Sequence, residues 1–218
     1  MDNNGIEGLY LSLLELDRAA IKALKVTDPY SIHRVVYSLF DDIRNSAQNT
    51  GTNGAGRILF SDEGGDFRAR RILILSDRRP HSCVPEGYGW VKTKCVPKGL
   101  LDHEFYRFKV TVNPCTRENR TGKIIPVKGR GEVAKWFLRR GLSSWGFEAI
   151  ESHLEIDAIN VLRFNAKNGN PLTISTARIK GILRVNDREL FKEGFQNGIG
   201  RAKAFGCGLL QIVPIRYF

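Results

Sequence analysis

The sequence predicts an α+β protein made of two tandem ferredoxin-like (RRM-like) domains. Two observations support this: the second half shows strand and helix periodicity in the order strand, helix, strand, strand, helix, strand, and the first half shows the same order apart from its second helix. In such a domain both helices cover one face of an antiparallel sheet and leave the other face free. A chain of 218 residues is long enough for two domains that each bury a core.

In the first half, strands are predicted at LYLSLLEL, RILF, RRILILS and WVKTKCV. A helix is predicted from about Pro29 to Arg44, followed by the loop NSAQNTGTNGAG. The second helix of this half is hard to locate, and we expect it to be short or lost within DRRPHSCVPEG.

In the second half, FYRFKVTVN is a predicted strand and GEVAKWFLRRG a predicted helix. Two strands joined by a hairpin turn at Asn168-Gly169 follow, and then a helix from about Asp187 to Asn197 whose capping box is Asn186 with Glu189. LLQIVPI is the closing strand. The boundary is expected near PKGLLDHE, which gives domains of residues 1–101 and 102–218.

The composition favours a polyanionic partner. The formal net charge is +11 and the pI is near 9.7, which suits nucleic acid or an acidic membrane surface. The start MDNNGIEG is polar and acidic and no run reaches the length of a membrane span, so we expect a cytoplasmic protein without membrane association. The four cysteines lack metal-ligand spacing, and neither a metal nor another cofactor is expected.

The strand TARIKGILRV indicates what the free face of the second sheet does. Alternation directs one set of residues to the core, namely Ala177, Ile179, Gly181, Leu183 and Val185. It directs Arg178, Lys180 and Arg184 to the other face, with Ile182 among them. The sequence therefore predicts a basic sheet face, although a solvated sheet surface would show the same pattern.

The helix in TDPYSIHRVVYSLFDDIR carries candidate catalytic residues. Asp28 is its predicted N-cap and Pro29 its first residue. Helical periodicity predicts one apolar stripe that consists of Ile32, Val35, Val36, Leu39 and Phe40. The same periodicity gathers Tyr30, His33, Arg34 and Tyr37 on the opposite side.

Tyr30 and His33 have the spacing needed to reach one substrate group near the positive end of a helix. A histidine that titrates near neutrality can act as general acid or base. RNA carries its own nucleophile, the 2′-hydroxyl, and the sequence shows no carboxylate cluster suited to two-metal nuclease chemistry. These features favour RNA over DNA, whereas a surface Tyr/His pair without chemistry is the alternative.

The segment NGIGRAKAFGCGLL, residues 197–210, is a candidate phosphate-binding loop. Its glycines allow close backbone approach, and Arg201 and Lys203 add positive charge. It matches neither the Rossmann fingerprint nor the P-loop. The alternative is a helix C-cap at Gly198 followed by a glycine-rich turn.

Four segments together resemble one family: LYLSLLEL, DPYSIHRVVYSLF, RFKVTVNPC and GIGRAKAFGCGLLQIVPI are similar to the CRISPR repeat-processing endoribonucleases of the CasE (Cse3) family. The resemblance implies a tandem ferredoxin-like fold and metal-independent cleavage of precursor CRISPR RNA at the 3′ base of each repeat hairpin. The products would be a 5′-hydroxyl and a 2′,3′-cyclic phosphate. The enzyme would stay bound to the mature crRNA and join the other subunits of Cascade.

The resemblance also implies roles for individual residues. His33 corresponds to the catalytic histidine and Tyr30 to its partner tyrosine. The glycine loop becomes part of the RNA-binding surface through Gly198, Gly200, Arg201, Lys203, Gly206 and Gly208. We expect further RNA contacts from Arg34, Arg178, Lys180 and Arg184. The hairpin at Asn168-Gly169 would grip the RNA stem, and Phe205 would pack beneath the loop rather than stack on a base.

Two other interpretations stay open. One is a catalytically inactive RNA-binding subunit of an RNA-guided complex, which would bind a repeat hairpin without cutting it. The other is a general RRM-like RNA binder, but RFKVTVN and RRILILS lack the aromatic pattern of such proteins.

Overall fold

The computed structural model describes residues 5–41, 57–166 and 169–216. The chain divides into two compact units, residues 1–98 and 99–218. This division lies within the segment PKGLLDHE, and the second unit starts at residue 99 where the sequence predicted residue 102. The predicted loop NSAQNTGTNGAG and Asn168 of the predicted turn lie outside the described residues.

The first unit is a ferredoxin-like domain. Its described elements are, in order, β1 (Gly5–Asp17), α1 (Arg18–Ala23), α2 (Pro29–Tyr37), β2 (Ile58–Gly65), β3 (Ala69–Ser76) and β4 (Trp90–Pro97). The strands form one antiparallel sheet in the order β2-β3-β1-β4, which is the strand order of the predicted fold.

The core of this unit includes residues from α2 and from the central strands. Its members include Leu14, Leu16, Ile32, Val35, Val36, Ile72 and Ile74. The α2 members are those of the predicted apolar stripe. Because this stripe is buried, the opposite side of α2 carries Tyr30, His33 and Arg34 at partly or fully exposed positions.

The predicted end of α2 at Arg44 is wrong, since the helix ends at Tyr37. Beyond this point the backbone N–H groups donate to carbonyls three residues earlier, as in a 3₁₀ turn. Leu39 N donates to Val36 O at 3.3 Å, and Phe40 N donates to Tyr37 O at 3.2 Å. The Ser38 hydroxyl donates to Val35 O at 2.9 Å. Such side-chain bonds to backbone compete with regular helix. Leu39 and Phe40 are nevertheless buried, so the apolar stripe continues beyond the end of the helix.

Two further differences concern helices of the first unit. The sequence did not predict α1, which is only six residues long and is capped by a bond from Ala20 N to Asp17 Oδ1 of 2.7 Å. The second helix sought in DRRPHSCVPEG is absent from the described residues 77–89, which connect β3 to β4 irregularly.

The second unit repeats the plan with additions. Its elements are β5 (Phe105–Val112), β6 (Cys115–Arg117), β7 (Ile124–Pro126), α3 (Arg130–Ser144), β8 (Phe147–Ala149), β9 (Glu155–Asn165), β10 (Pro171–Val185), α4 (Arg188–Asn197) and β11 (Gln211–Pro214). The antiparallel order β11-β5-β10-β8 is again ferredoxin-like, and β9 pairs with β10 beyond this path. The confirmed fold class is therefore α+β with two ferredoxin-like domains.

The hairpin strands have a different place in the sheet from the one the sequence suggested. The strand next to β10 in the basic plan is the short β8, which was not predicted, and β9 is an additional strand. The ribbon of β6 and β7 was also not predicted. Three-residue strands carry too little periodicity to be recognised from sequence.

The start of α4 differs from the prediction by one residue. Asp187, and not Asn186, is the N-cap, and its Oδ1 accepts from Glu189 N and Leu190 N at 3.0 Å each. An aromatic cluster fills the core beneath α3 and α4, with Phe108, Phe137 and Phe147 at ring centroid distances of 5.5 to 6.3 Å. None of the described helices has the length and apolar content to cross a bilayer.

Candidate functional site

The N-terminus of α2 is held by a complete capping box. Ser31 N donates to Asp28 Oδ1 at 2.7 Å, and Asp28 N donates to Ser31 Oγ at 3.0 Å. Pro29 occupies the first turn, as predicted. The cap fixes where the helix begins, and therefore which residues point away from the core.

Tyr30, His33 and Tyr37 form a row of rings along the exposed side of α2. The Tyr30 and His33 ring centroids are 6.1 Å apart at an interplanar angle of 19°. The His33 and Tyr37 centroids are 4.2 Å apart at 38°. The imidazole therefore lies between two phenol rings, which limits its rotation and leaves it at a half-buried position.

This row combines a group that can transfer a proton with two hydroxyl donors, and it runs from Tyr30 in the first turn of α2 to Tyr37, the last residue of the helix. The positive end of the helix lies at the Tyr30 end of the row and favours a bound phosphate there. Burial raises the pKa of Tyr37, so its hydroxyl stays protonated at neutral pH. Arg34 is exposed on the adjacent part of the helix and supplies a cation.

Tyr37 is the residue that the catalytic prediction left out. The sequence placed it on the same side as His33, but its close ring contact with the imidazole was not anticipated. The four-residue spacing between His33 and Tyr37 was the available signal, because such pairs are neighbours on a helix surface.

The basic residues of β10 lie on one sheet face, as the alternation predicted. Ala177, Ile179 and Leu183 are fully buried, whereas Arg178 and Lys180 are half-buried and Arg184 is exposed. Two of the three cations have carboxylate partners. Lys180 Nζ is 3.1 Å from both Glu155 Oε2 and Asp157 Oδ1, and Arg184 Nε is 2.8 Å from Glu104 Oε1.

These pairs change how much charge the face presents. The hydrogen bond to Glu155 raises the pKa of Lys180, with Asp157 adding to the effect. Arg178 has no carboxylate partner among the residues that the structure describes. The face is therefore less basic than its sequence suggests.

The β9–β10 hairpin and the glycine loop contact each other through aromatic rings. Phe164 of β9 is buried, and its ring centroid lies 4.9 Å from that of Phe205. At the tip, Gly169 has φ of +74°, and Ala166 N donates to Asn170 O at 2.9 Å. Phe205 thus packs on the protein itself, which agrees with its expected position beneath the loop.

The glycine loop is built around tight backbone contacts. Gly208 has φ of +88°, and a Cβ there would lie 2.5 Å from Ile199 O. Gly208 N donates to Thr111 O at 2.7 Å, and Ile199 N donates to Gly208 O at 2.9 Å. Gly198, Gly200 and Gly206 also have positive φ. Only glycine adopts this set of conformations without strain.

The two cations of the loop have different environments. Lys203 is half-buried, and its Nζ donates to Asn197 O, the last residue of α4, at 2.6 Å. Burial lowers the pKa of Lys203, while Glu193 opposes this shift. Arg201 is exposed and forms no ion pair within the described part of the chain. Lys203 therefore caps a helix, and Arg201 is the cation that solvent reaches.

The structure thus brings Tyr30, His33 and Arg34 together on α2 in the first unit. The remaining predicted residues belong to the second unit, on β10 and in the glycine loop. No group of three or more His, Cys, Asp or Glu side chains within residues 5–41, 57–166 and 169–216 is arranged to hold a metal ion.

Comparisons with known proteins agree with this architecture. The family model described as CRISPR associated protein matches residues 9–214. The chain therefore belongs to this family, and the predicted resemblance to the CasE (Cse3) proteins is confirmed.

Three similar proteins show how far the likeness extends. The CRISPR-associated endoribonuclease Cse3 of Thermus thermophilus is 26% identical over 94% of this chain and 100% of its own length. The CRISPR system Cascade subunit CasE of Escherichia coli is 25% identical over 95% of this chain and 100% of its own. A solved structure of Cse3 bound to a 19-nucleotide RNA superimposes with a TM-score of 0.79 and 27% identity, covering 94% of this chain and 99% of that one.

Proposed function

We propose that this protein is a metal-independent endoribonuclease that cleaves precursor CRISPR RNA at the base of repeat hairpins. The observation that carries the proposal is the row of Tyr30, His33 and Tyr37 along the exposed side of α2, which begins at the capped N-terminus of the helix. It combines a proton-transfer group, hydroxyl donors and a positive helix end on one surface. The full-length likeness to an endoribonuclease named Cse3 supports this assignment.

The reaction needs only groups that α2 carries and the RNA itself. The 2′-hydroxyl loses its proton, its oxygen bonds to the adjacent phosphorus, and the bond from phosphorus to the 5′-oxygen breaks. The departing oxygen takes up a proton. The products are a 2′,3′-cyclic phosphate and a 5′-hydroxyl, so no water, oxidant or external nucleophile is consumed.

His33 is the residue that moves a proton in this step, as general base or general acid. Tyr30 either donates a hydrogen bond to the phosphate or orients the imidazole. Arg34 compensates the negative charge that develops on the phosphate oxygens, and the helix dipole of α2 adds to this at the Tyr30 end of the row.

The second unit supplies the RNA-binding residues in this proposal. The β9–β10 hairpin grips the RNA stem, and the glycine loop contacts the backbone through its amides and Arg201. Arg178, Lys180 and Arg184 add positive charge, with Lys180 and Arg184 available after exchange of their carboxylate partners. The catalytic helix belongs to the first unit, residues 1–101 in the predicted division.

After cleavage the protein holds its product and joins other Cascade subunits in the cytoplasm. The name of the Escherichia coli relative, a Cascade subunit, supports this partnership. A net charge of +11 agrees with retention of a polyanionic product.

The test is single-turnover cleavage of a repeat-hairpin RNA from the host's own CRISPR array, in EDTA. A second RNA carries one 2′-deoxy substitution at the candidate scissile nucleotide. We expect cleavage of the first RNA and none of the second, with a cyclic phosphate on the upstream product. Binding of both RNAs without cleavage of either would overturn the endonuclease assignment and favour an inactive RNA-holding subunit.

A further inference from the structure

A groove of about 400 Å³ lies in the second unit between α3 and the β6–β7 ribbon. Four arginines line it: Arg117 from β6, Arg139 and Arg140 from α3, and Arg201 from the glycine loop. No carboxylate belongs to the lining. We call this feature the arginine groove.

The arginine groove has a built floor. Trp136 of α3 is 4% exposed, and its indole N–H donates to Cys115 O of β6 at 3.0 Å. Its ring lies edge-on to that of Trp145, with the centroids 5.7 Å apart. These contacts tie β6 to α3, so the walls keep their spacing without a ligand.

The four guanidinium groups have no carboxylate partner among the described residues. Elsewhere in this unit, Lys135, Lys180 and Arg184 all pair with acidic side chains. Burial raises the pKa of the Cys115 thiol, and Arg201 and Arg140 partly oppose that shift. The positive charges of Arg201 and Arg140 therefore act at the same point of the groove wall, and their mutual repulsion favours a bound anion there.

We propose that the arginine groove binds the sugar-phosphate backbone of the RNA that the protein processes, as a contact additional to α2 and the β9–β10 hairpin. The inference rests on the proposed function, because it takes RNA to be the substrate. Guanidinium groups bind phosphate oxygens through paired N–H donors, and the exposed Ser143 hydroxyl adds another donor.

The floor of the groove determines which part of RNA it recognises. Trp136 is buried and its N–H is already used, so it offers no ring face for a base to stack on. The exposed groups of the groove are guanidinium and hydroxyl groups. The arginine groove therefore contacts phosphates regardless of base sequence, which strengthens binding without setting specificity.

The test compares two double variants of the full chain. Arg139→Ala with Arg140→Ala removes two charges from the groove. Lys135→Ala with Lys192→Ala removes two charges from the same unit outside it, from lysines that each pair with a glutamate three residues earlier. Affinity for the repeat-hairpin RNA with its natural flanking strands is measured over a series of salt concentrations, beside the wild type.

We expect the groove variant to bind the RNA at least about tenfold more weakly at low salt. The slope of log K against log salt should fall in magnitude by about 1.5, because each lost phosphate contact removes about 0.7 to 0.9 from that slope. The control variant should lose much less of the slope. Arg117→Ala with Arg201→Ala should give the same result through arginines of other elements. This second variant is needed because Arg140 lies over the Trp145 ring, and its loss alone could impair folding.

Three outcomes are informative. A wild type that does not bind the RNA contradicts the proposed function itself. A wild type that binds and cuts, with groove and control variants equal in slope, overturns only the groove assignment. Unchanged RNA binding combined with loss of association with other Cascade subunits also overturns it, in favour of an acidic protein surface as the occupant.

Discussion

The α2 helix and the glycine loop were both expected to meet RNA, yet their side chains are arranged in different ways. On α2, Tyr30, His33 and Tyr37 lie side by side on the surface, as helical spacing requires. In the loop, Lys203 turns toward the protein and donates to Asn197 O. A helix presents a face that periodicity decides, whereas a loop directs each side chain to whichever partner the tertiary structure offers.

The largest expected effect tests the α2 half of this comparison. His33→Ala should reduce cleavage about 100- to 10,000-fold while hairpin affinity stays nearly intact, because the lost group acts mainly in the transition state. Single-turnover rates and equilibrium binding of the same RNA measure the two effects.

The matched control is His81→Ala in the same unit. His81 is exposed, and its Nε2 lies 3.1 Å from Asp41 Oδ1. This variant should cleave at the wild-type rate. A loss of RNA binding in His33→Ala parallel to the loss of cleavage would assign His33 a docking role instead.

The next effect tests the loop as a scaffold. Gly208→Ala should lower the free energy of unfolding by at least about 2 kcal/mol, because positive φ is combined with a Cβ placed against Ile199 O. Gly200→Ala has similar φ but meets no atom within 4 Å, and we expect a loss of about 1 kcal/mol. Urea unfolding of both variants gives the comparison, and equal losses would mean that the close approach at Gly208 relaxes.

A smaller effect separates the two tyrosines that flank His33. Tyr30→Phe should slow cleavage about 10- to 100-fold if its hydroxyl donates to the reacting group. Tyr37→Phe keeps the ring against the imidazole and should cost less. Single-turnover rates measure both, and the reverse ranking would make Tyr37 the functional hydroxyl.

The smallest effects separate the two cations of the loop. From sequence alone, Lys203→Ala is predicted to weaken RNA binding and reduce its salt dependence. In the structure, Lys203→Ala also removes the hydrogen bond to Asn197 O, so this variant should lower the free energy of unfolding by about 1–2 kcal/mol. Arg201→Ala should reduce the salt slope by about 0.7 to 0.9 without loss of stability.

Urea unfolding and salt-dependent binding of both variants provide the measurement. If Lys203→Ala reduces the salt slope as much as Arg201→Ala does, the ammonium leaves Asn197 to contact phosphate, and the contrast between helix and loop disappears.

The sequence by itself determined the fold class, the capped start of α2 and the residues on its exposed side. These features depend on periodicity and on local capping chemistry, which act over a few residues. The alternation in β10 likewise separates its buried side from its charged side.

Only the tertiary structure decided the partners of the charged groups and the short elements. Lys180 meets Glu155 and Asp157 because β9 pairs beside β10, and the arginine groove exists because Trp136 ties β6 to α3. Residues far apart in the chain form these contacts, so no local pattern records them. The amino-acid type defines the chemistry of a side chain, but long-range packing decides which partner that side chain contacts.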